Sequence, residues 1–382
     1  MKQAIGNRRM PRANKPFFPN LDGLRCLAFF AVYLTHCFSA NTFYVQQSKE
    51  YQWAVSFFSN GELGVSFFFV LSGFLITYLL LGEESIKHKI NLFYFYVRRI
   101  LRIWPLFFAC VFFGFVVYPF LTKVYSHNLP TEQGSFFYYL TFTNNFYIIQ
   151  NGWPVAPPLG VLWSISVEEQ FYLFWPLILI AVRTHRIHLM GSVIILSLIF
   201  RCFYSSNELV LYLHTLSVIS DMAVGGLLAV ISFSTFSFRE GIRNLTSPQI
   251  VLIYLIGILM IIFRDSWNSV FMLRPLERIF FAVFFAFIIA EQNYAEKSFL
   301  KMKSVKWLSK WGRYTYGLYC LHILAIIFVD NIFSFFNIND WGFSILLIKP
   351  LLSLWVAMLA SRMSYQYYEK HFLRMKKMFR PI

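Results

Sequence analysis

The chain has 382 residues, of which 58% are apolar, 20% aromatic and 14% charged, whereas an ordinary soluble domain is about half apolar and a quarter charged. Together with a mean hydropathy of +0.55, this excludes a soluble globular enzyme, and the aromatic content excludes a disordered chain. The formal charge of +16 does not point to nucleic acid, because the basic residues sit between apolar runs rather than along one soluble face.

A helix needs roughly 20 apolar residues to cross a hydrocarbon core, and lipid tolerates no open structure with unsatisfied backbone. In chain order the sequence predicts spans at 21–38, 62–82, 103–122, 161–182, 189–207, 209–234, 249–263, 276–291, 315–330 and 343–361, those at 249–263 and 276–291 being short. The fold class is therefore read as all-α, a polytopic transmembrane bundle of about ten spans. It forms a single membrane-embedded domain over 1–382, with basic tails at 1–20 and 362–382. If the amino terminus is cytoplasmic, 26 of the 34 Lys and Arg residues fall in inward segments, so the positive-inside rule places both termini in the cytoplasm. Contact with anionic inner-leaflet lipid accounts for most of this charge. The first span reads as a retained signal anchor. The outward stretch 123–160 contains the aromatic run FFYYLTFTNNFYII at 136–149, too short to span and expected to lie in the interface or dip back into the protein. Cys26, Cys37, Cys110, Cys202 and Cys320 lie in or beside apolar stretches without a CxxC and read as small hydrophobes.

Ionisable residues inside spans are costly, so each is a functional candidate that must face the bundle interior. In LDGLRCLAFFAVYLTH, Arg25 and His36 are eleven residues apart, which puts them on one helix face roughly 16 Å apart along the axis. The bland readings are a satisfied structural histidine and a snorkelling arginine. In FYVRRILRIWP, Arg98, Arg99 and Arg102 recur at helical spacing just before a predicted span. They suit either a bidentate grip on phosphate or a positive-inside stop signal. In LWSISVEEQFYLFWP, Ser166 and Glu169 match an S-x-x-E capping box. A helix starting there would be too short to span, whereas a start near Gly160 draws Glu168 and Glu169 into its outer part, pointing about 100° apart. His185 and His188 lack carboxylate companions, and no metal site is read from them. His322 closes YTYGLYCLH and either serves structure or lines the cavity.

These segments together resemble the acyltransferase family 3 of integral membrane acyltransferases, which O-acylate bacterial surface polysaccharides. The resemblance runs through LDGLR with His36, GVSFFFVLSGFLIT at 64–77, Arg98–Pro105, WSISVEEQFYLFWP at 163–176, DMAVGGLLA at 221–229, YGLYCLH at 316–322 and SYQYYEKHF at 364–372. It departs from the family at Cys26, Ser66 and His371, where glycine, aspartate and proline are common. It implies a cytoplasmic acyl-CoA donor, with no permanently bound cofactor and no metal, and an acceptor hydroxyl near the outer face. By the same resemblance His36 is the catalytic histidine with Arg25 as same-helix partner. Arg98, Arg99 and Arg102 look like donor-binding residues, and Glu168 and Glu169 fall on the family's acidic pair and are expected to be catalytic alongside His36, one of them orienting the imidazole or positioning the acceptor. Ser164, Ser166 and His322 are read as further substrate-binding candidates. The length leaves no room for the carboxyl-terminal hydrolase-like domain of some members, so this domain or a partner is expected to complete the transfer.

The expected function is O-acylation, most simply O-acetylation, of a cell-envelope polysaccharide or its lipid-linked precursor at the bacterial cell membrane. The expected partners are acyl-CoA, the extracytoplasmic glycan, membrane lipids and polysaccharide-assembly proteins, with no nucleic acid. Because intramembrane charges also mark transport paths, a transporter or flippase is the alternative. The chain lacks obvious paired halves with matched interrupted helices.

Overall fold

A computed structural model describes residues 18–38, 43–126, 134–264, 274–336 and 342–379; the basic tail up to residue 17 lies outside them. Among the described residues there is no strand. The principal helices are α1 (Pro19–Cys37), α2 (Gly61–Lys87), α3 (Leu92–Phe112), α4 (Trp163–Ala181), α5 (Arg186–Phe203), α6 (Thr215–Ser234), α7 (Ser247–Ile262), α8 (Arg274–Tyr294), α9 (Thr315–Phe335) and α10 (Lys349–Ser364). Local chemistry sets several starts. The Asn91 side chain accepts from the Tyr94 backbone N–H to begin α3, and Thr246 and Gln249 form a capping box that begins α7.

Consecutive principal helices run in opposite directions. Helix α1 meets α2 with Thr35 beside Gly61 and Ala28 beside Gly64, an antiparallel pairing. Ser72 and Thr77 of α2 bond Glu168 and Trp175 of α4, a parallel pairing. Tyr254 of α7 donates to Glu291 of α8, and Lys349 of α10 pairs with Asp330 of α9, both antiparallel. The start of α1 and the end of α10 therefore share one end of the bundle with the arginines of α3, while His36 sits at the other.

Of the ten expected spans, six segments are long and apolar enough on their own: Lys49–Lys87, Leu92–Lys123, Arg186–Phe203, Glu208–Ser234, Thr315–Phe335 and Ser344–Phe379. A pair bent by 93°, Phe236–Arg243 with Ser247–Ile262, would make a seventh. Helices α1, α4 and α8 have 19, 19 and 21 residues, and they carry Asp22 and Arg25, Glu168 and Glu169, and Glu277, Arg278 and Glu291. Boundaries also differ from expectation. The span expected at 103–122 begins at Leu92, so Arg98, Arg99 and Arg102 lie inside the helix rather than before it. The aromatic run folds as Phe136–Leu140 and Asn144–Asn151 and dips into the protein. Tyr139, Asn144, Asn145 and Ile148 are fully buried, and Gln170 of α4 donates to the Phe142 carbonyl at 2.6 Å.

Helices α2 and α6 cross where glycine is required on both sides. A Cβ at Gly73 would collide with the Met222 backbone, and one at Gly225 with the carbonyl of Val70. Because backbone cannot yield as a side chain tip does, we expect Gly225→Ala to cost about 1–3 kcal/mol. A lower melting temperature of the detergent-solubilised protein, measured against the open-position control Gly191→Ala, checks this.

Candidate active site

A cavity of 320 Å³ opens at the arginine end between α1, α2, α3, α4 and α9. From α1 it takes Arg25, whose Nη1 donates to Asp22 Oδ1 at 2.8 Å one turn earlier. From α3 it takes Arg99 and Arg102, three residues apart and so on one face. Arg98 is turned about 100° from Arg99 and does not line the cavity. Its Nη2 donates to Glu83 Oε2 at 3.2 Å, and its Nη1 to the Phe379 carbonyl at 2.9 Å. The Arg99 guanidinium lies 5.4 Å from the Tyr172 ring centroid and 5.7 Å from that of Phe95. Its Nε has no partner among the described residues.

Helix α4 separates its two glutamates as adjacent helical positions must. Glu168 lines the cavity, accepting from the Ser72 hydroxyl at 2.7 Å and the Tyr172 hydroxyl at 3.1 Å. Glu169 lies outside the cavity lining and accepts from Trp104 Nε1 at 2.8 Å. The helix starts at Trp163 without a side-chain cap, so Ser166 and Glu169 do not form the S-x-x-E box. Ser166 is buried, with no partner for Oγ among the described residues. Ser164 lines the cavity and lies 2.6 Å from the Tyr319 hydroxyl. Since Tyr319 donates to the Val161 carbonyl at 3.2 Å and has one hydrogen, Ser164 is the donor to Tyr319.

Arg313, at the turn before α9, joins Arg102 as an exposed residue of the cavity wall. The lining then holds Arg25, Arg99, Arg102 and Arg313 against Asp22 and Glu168, an excess of positive charge that suits an anionic ligand. The wall that α2 contributes, Val65, Phe68, Phe69, Leu75, Ile76 and Leu79, is apolar apart from Ser72.

His36 and His322 lie beyond this cavity toward the opposite end. Their ring centroids are 5.2 Å apart at 61°; His322 is fully buried and His36 exposed. His36 Nδ1 is 2.8 Å from the Val32 carbonyl. A carbonyl only accepts, so Nδ1 carries the hydrogen and the neutral ring presents its lone pair at Nε2. His322 repeats the arrangement with Tyr319 O at 2.7 Å, and its Nε2 has no partner among the described residues. Tyr319, one turn before His322, separates the pair from the cavity.

The match that decides the family covers the site and nearly all of the chain: the family described as "Acyltransferase domain" matches residues 18–362. The chain belongs to the acyltransferase family 3. Among curated relatives, the family member is 31% identical to O-acetyltransferase OatA of Staphylococcus aureus over 354 residues, 85% of this chain and 53% of the relative. It is 33% identical to peptidoglycan O-acetyltransferase OatA of Listeria monocytogenes over 178 residues, 45% of this chain and 26% of the relative. It is 26% identical to "Putative peptidoglycan O-acetyltransferase YrhL" of Bacillus subtilis over 375 residues, 93% of this chain and 54% of the relative. The chain spans about half the length of the S. aureus and B. subtilis relatives. No solved structure matches it.

This acyltransferase-family site contains residues that sequence reasoning missed. Tyr172 stands four positions after Glu168 and so on its face, a signal that was available. Arg313 falls among the basic residues between predicted spans, which read as topological charge, and nothing in the sequence around Ser72 marks it as the partner of Glu168. Among the described residues no three His, Cys, Asp or Glu side chains gather as a metal site, and the exposed His185, just before α5, and His188, in its first turn, have ring centroids 5.7 Å apart.

Proposed function

We propose that this family member is an O-acetyltransferase of the bacterial cell membrane that moves an acetyl group from cytoplasmic acetyl-CoA to a hydroxyl of a cell-envelope glycan outside. The observation that carries the reading is α1, which holds Arg25 in a cationic cavity at one end and His36 at the other, roughly 16 Å along its axis. The diphosphate and phosphate of coenzyme A meet Arg102 and Arg313 at the mouth and Arg25 and Arg99 within. The pantetheine arm follows the apolar wall of α2 and brings the thioester to the Ser164–Tyr319 pair, which must swing aside for it to meet His36. His36 Nε2 takes the proton of the acceptor hydroxyl as its oxygen attacks the acetyl carbonyl. The carbon–sulfur bond breaks, and the departing thiolate receives that proton from the imidazolium. Glu168, held by Ser72 and Tyr172, fixes the arginines it faces. The names of the relatives favour a peptidoglycan sugar as acceptor. The reading is tested by mass spectrometry of cell-wall glycans from cells with and without the protein. Base-labile acetyl groups confined to the first support it; identical spectra overturn it.

The same reading takes ten spans with both termini cytoplasmic, supported by the alternating directions of α1 to α10 and the distribution of Lys and Arg. In intact cells, an impermeant thiol reagent should modify a cysteine placed at Lys49 and leave those at Lys87 and Lys303 untouched. The reverse pattern inverts the topology.

A further inference from the structure

A second pocket, of 490 Å³, opens at the His36 end between α2, α5, the short helix Glu208–Leu213 and α8, and the acetyl-transfer scheme gives it no task. It is dense in fixed charges. Arg264 of its wall pairs with Glu62 and with Glu277. Arg278 is 10% exposed; its Nη2 donates to the fully buried Asp221 at 2.7 Å, and its Nε has no partner among the described residues. Arg201 is 4% exposed and held by backbone carbonyls and the Ser217 hydroxyl. The lining arginines are balanced by Glu62, Glu208, Glu277 and the adjoining Asp221, so the pocket offers donors and acceptors together rather than a field of one sign.

Trp153 contributes to the same pocket and is 53% exposed. Gly160 packs beside the indole, and more than half of the residue's surface stays accessible at the pocket. Balanced hydrogen-bonding groups beside an accessible aromatic ring fit a hydroxyl-rich ring with a polar edge and a C–H face. The pocket also stands next to the proposed chemistry. Glu62 follows Gly61, which packs on Thr35, the residue before His36, so the pocket wall and the imidazole belong to neighbouring helices at the same end of the bundle. A further link runs inward: Arg278 sits over the Phe69 ring at 5.9 Å, and Phe69 also lines the donor cavity.

We propose that this pocket is a saccharide subsite that seats an uncharged sugar residue of the acceptor glycan, with Trp153 stacking on the ring and Arg278 and Glu208 bonding its hydroxyls, while a neighbouring residue of the same glycan chain meets His36. The proposal rests on the acetyl-transfer reading. It is tested with the purified full chain in nanodiscs, by calorimetric titration with tetra-N-acetylchitotetraose, with inorganic phosphate and, separately, with coenzyme A. Wild type should bind the tetrasaccharide. Trp153→Ala should weaken that binding about five- to tenfold, the scale of one lost aromatic face, Trp153→Phe should restore most of it, and Glu208→Gln should weaken it without changing coenzyme A affinity. Trp153 and Glu208 are exposed, so both variants are expected to fold, and unchanged coenzyme A binding verifies it. No tetrasaccharide binding by wild type, equal affinity in Trp153→Ala, or Trp153-dependent binding of phosphate alone would overturn the subsite. Failure of coenzyme A to bind wild type would instead count against the acetyl-transfer reading.

Discussion

Replacing His36 by alanine should lower acetyl transfer about 10²- to 10⁴-fold, the usual contribution of a general base, while acetyl-CoA binding persists. The binding half follows from position, since His36 lies outside the cationic cavity and among the described residues bonds only to the carbonyl of its own helix at Val32. Asparagine supplies the more searching variant. Its amide can keep a donor toward Val32 but has no basic nitrogen for the acceptor proton. The account therefore expects His36→Asn to be as inactive as alanine. A histidine that only filled space against His322 would tolerate asparagine with most turnover retained, and acetyl release from labelled acetyl-CoA in the presence of glycan separates the two.

The second large effect concerns the arginines of α3, which the structure divides. Arg99→Lys and Arg102→Ala should each raise the apparent Km for acetyl-CoA about tenfold or more, the scale of one charge-assisted hydrogen bond to phosphate. For Arg99 the loss arises although charge is kept, because lysine lacks the planar group lying over Tyr172 and Phe95. Arg98→Lys should leave Km close to wild type, since Arg98 is engaged by Glu83 and the Phe379 carbonyl outside the cavity. Equal effects at all three positions would return them to a shared topological role, and steady-state kinetics at saturating acceptor decide the matter.

Sequence reasoning reached the all-helical membrane class, because hydropathy reports directly on burial in lipid. It reached the pairing of Arg25 with His36 on one face because that is a matter of helical period. It treated Arg98, Arg99 and Arg102 as one set, since spacing shows which residues share a face but not which face meets a cavity; only the position of Glu83 fifteen residues away in sequence draws Arg98 aside. Glu168 and Glu169 were indistinguishable for the same reason until Ser72 and Trp104 divided them. The layer of Tyr319 between cavity and His36 was not legible at all, because it depends on contacts between α4 and α9, 155 residues apart at Ser164 and Tyr319.

The central claim is that acetyl groups enter from the arginine end and leave at the His36 end. The most direct measurement uses sealed vesicles of one orientation containing the purified protein, with radiolabelled acetyl-CoA confined to the side of Lys87 and Lys303 and glycan acceptor confined to the other. The account predicts base-labile label on the glycan across the membrane, abolished by His36→Asn and, at limiting donor, reduced by Arg99→Lys. Label that forms only when donor and glycan share one side, or glycan that crosses without acquiring label, would contradict it.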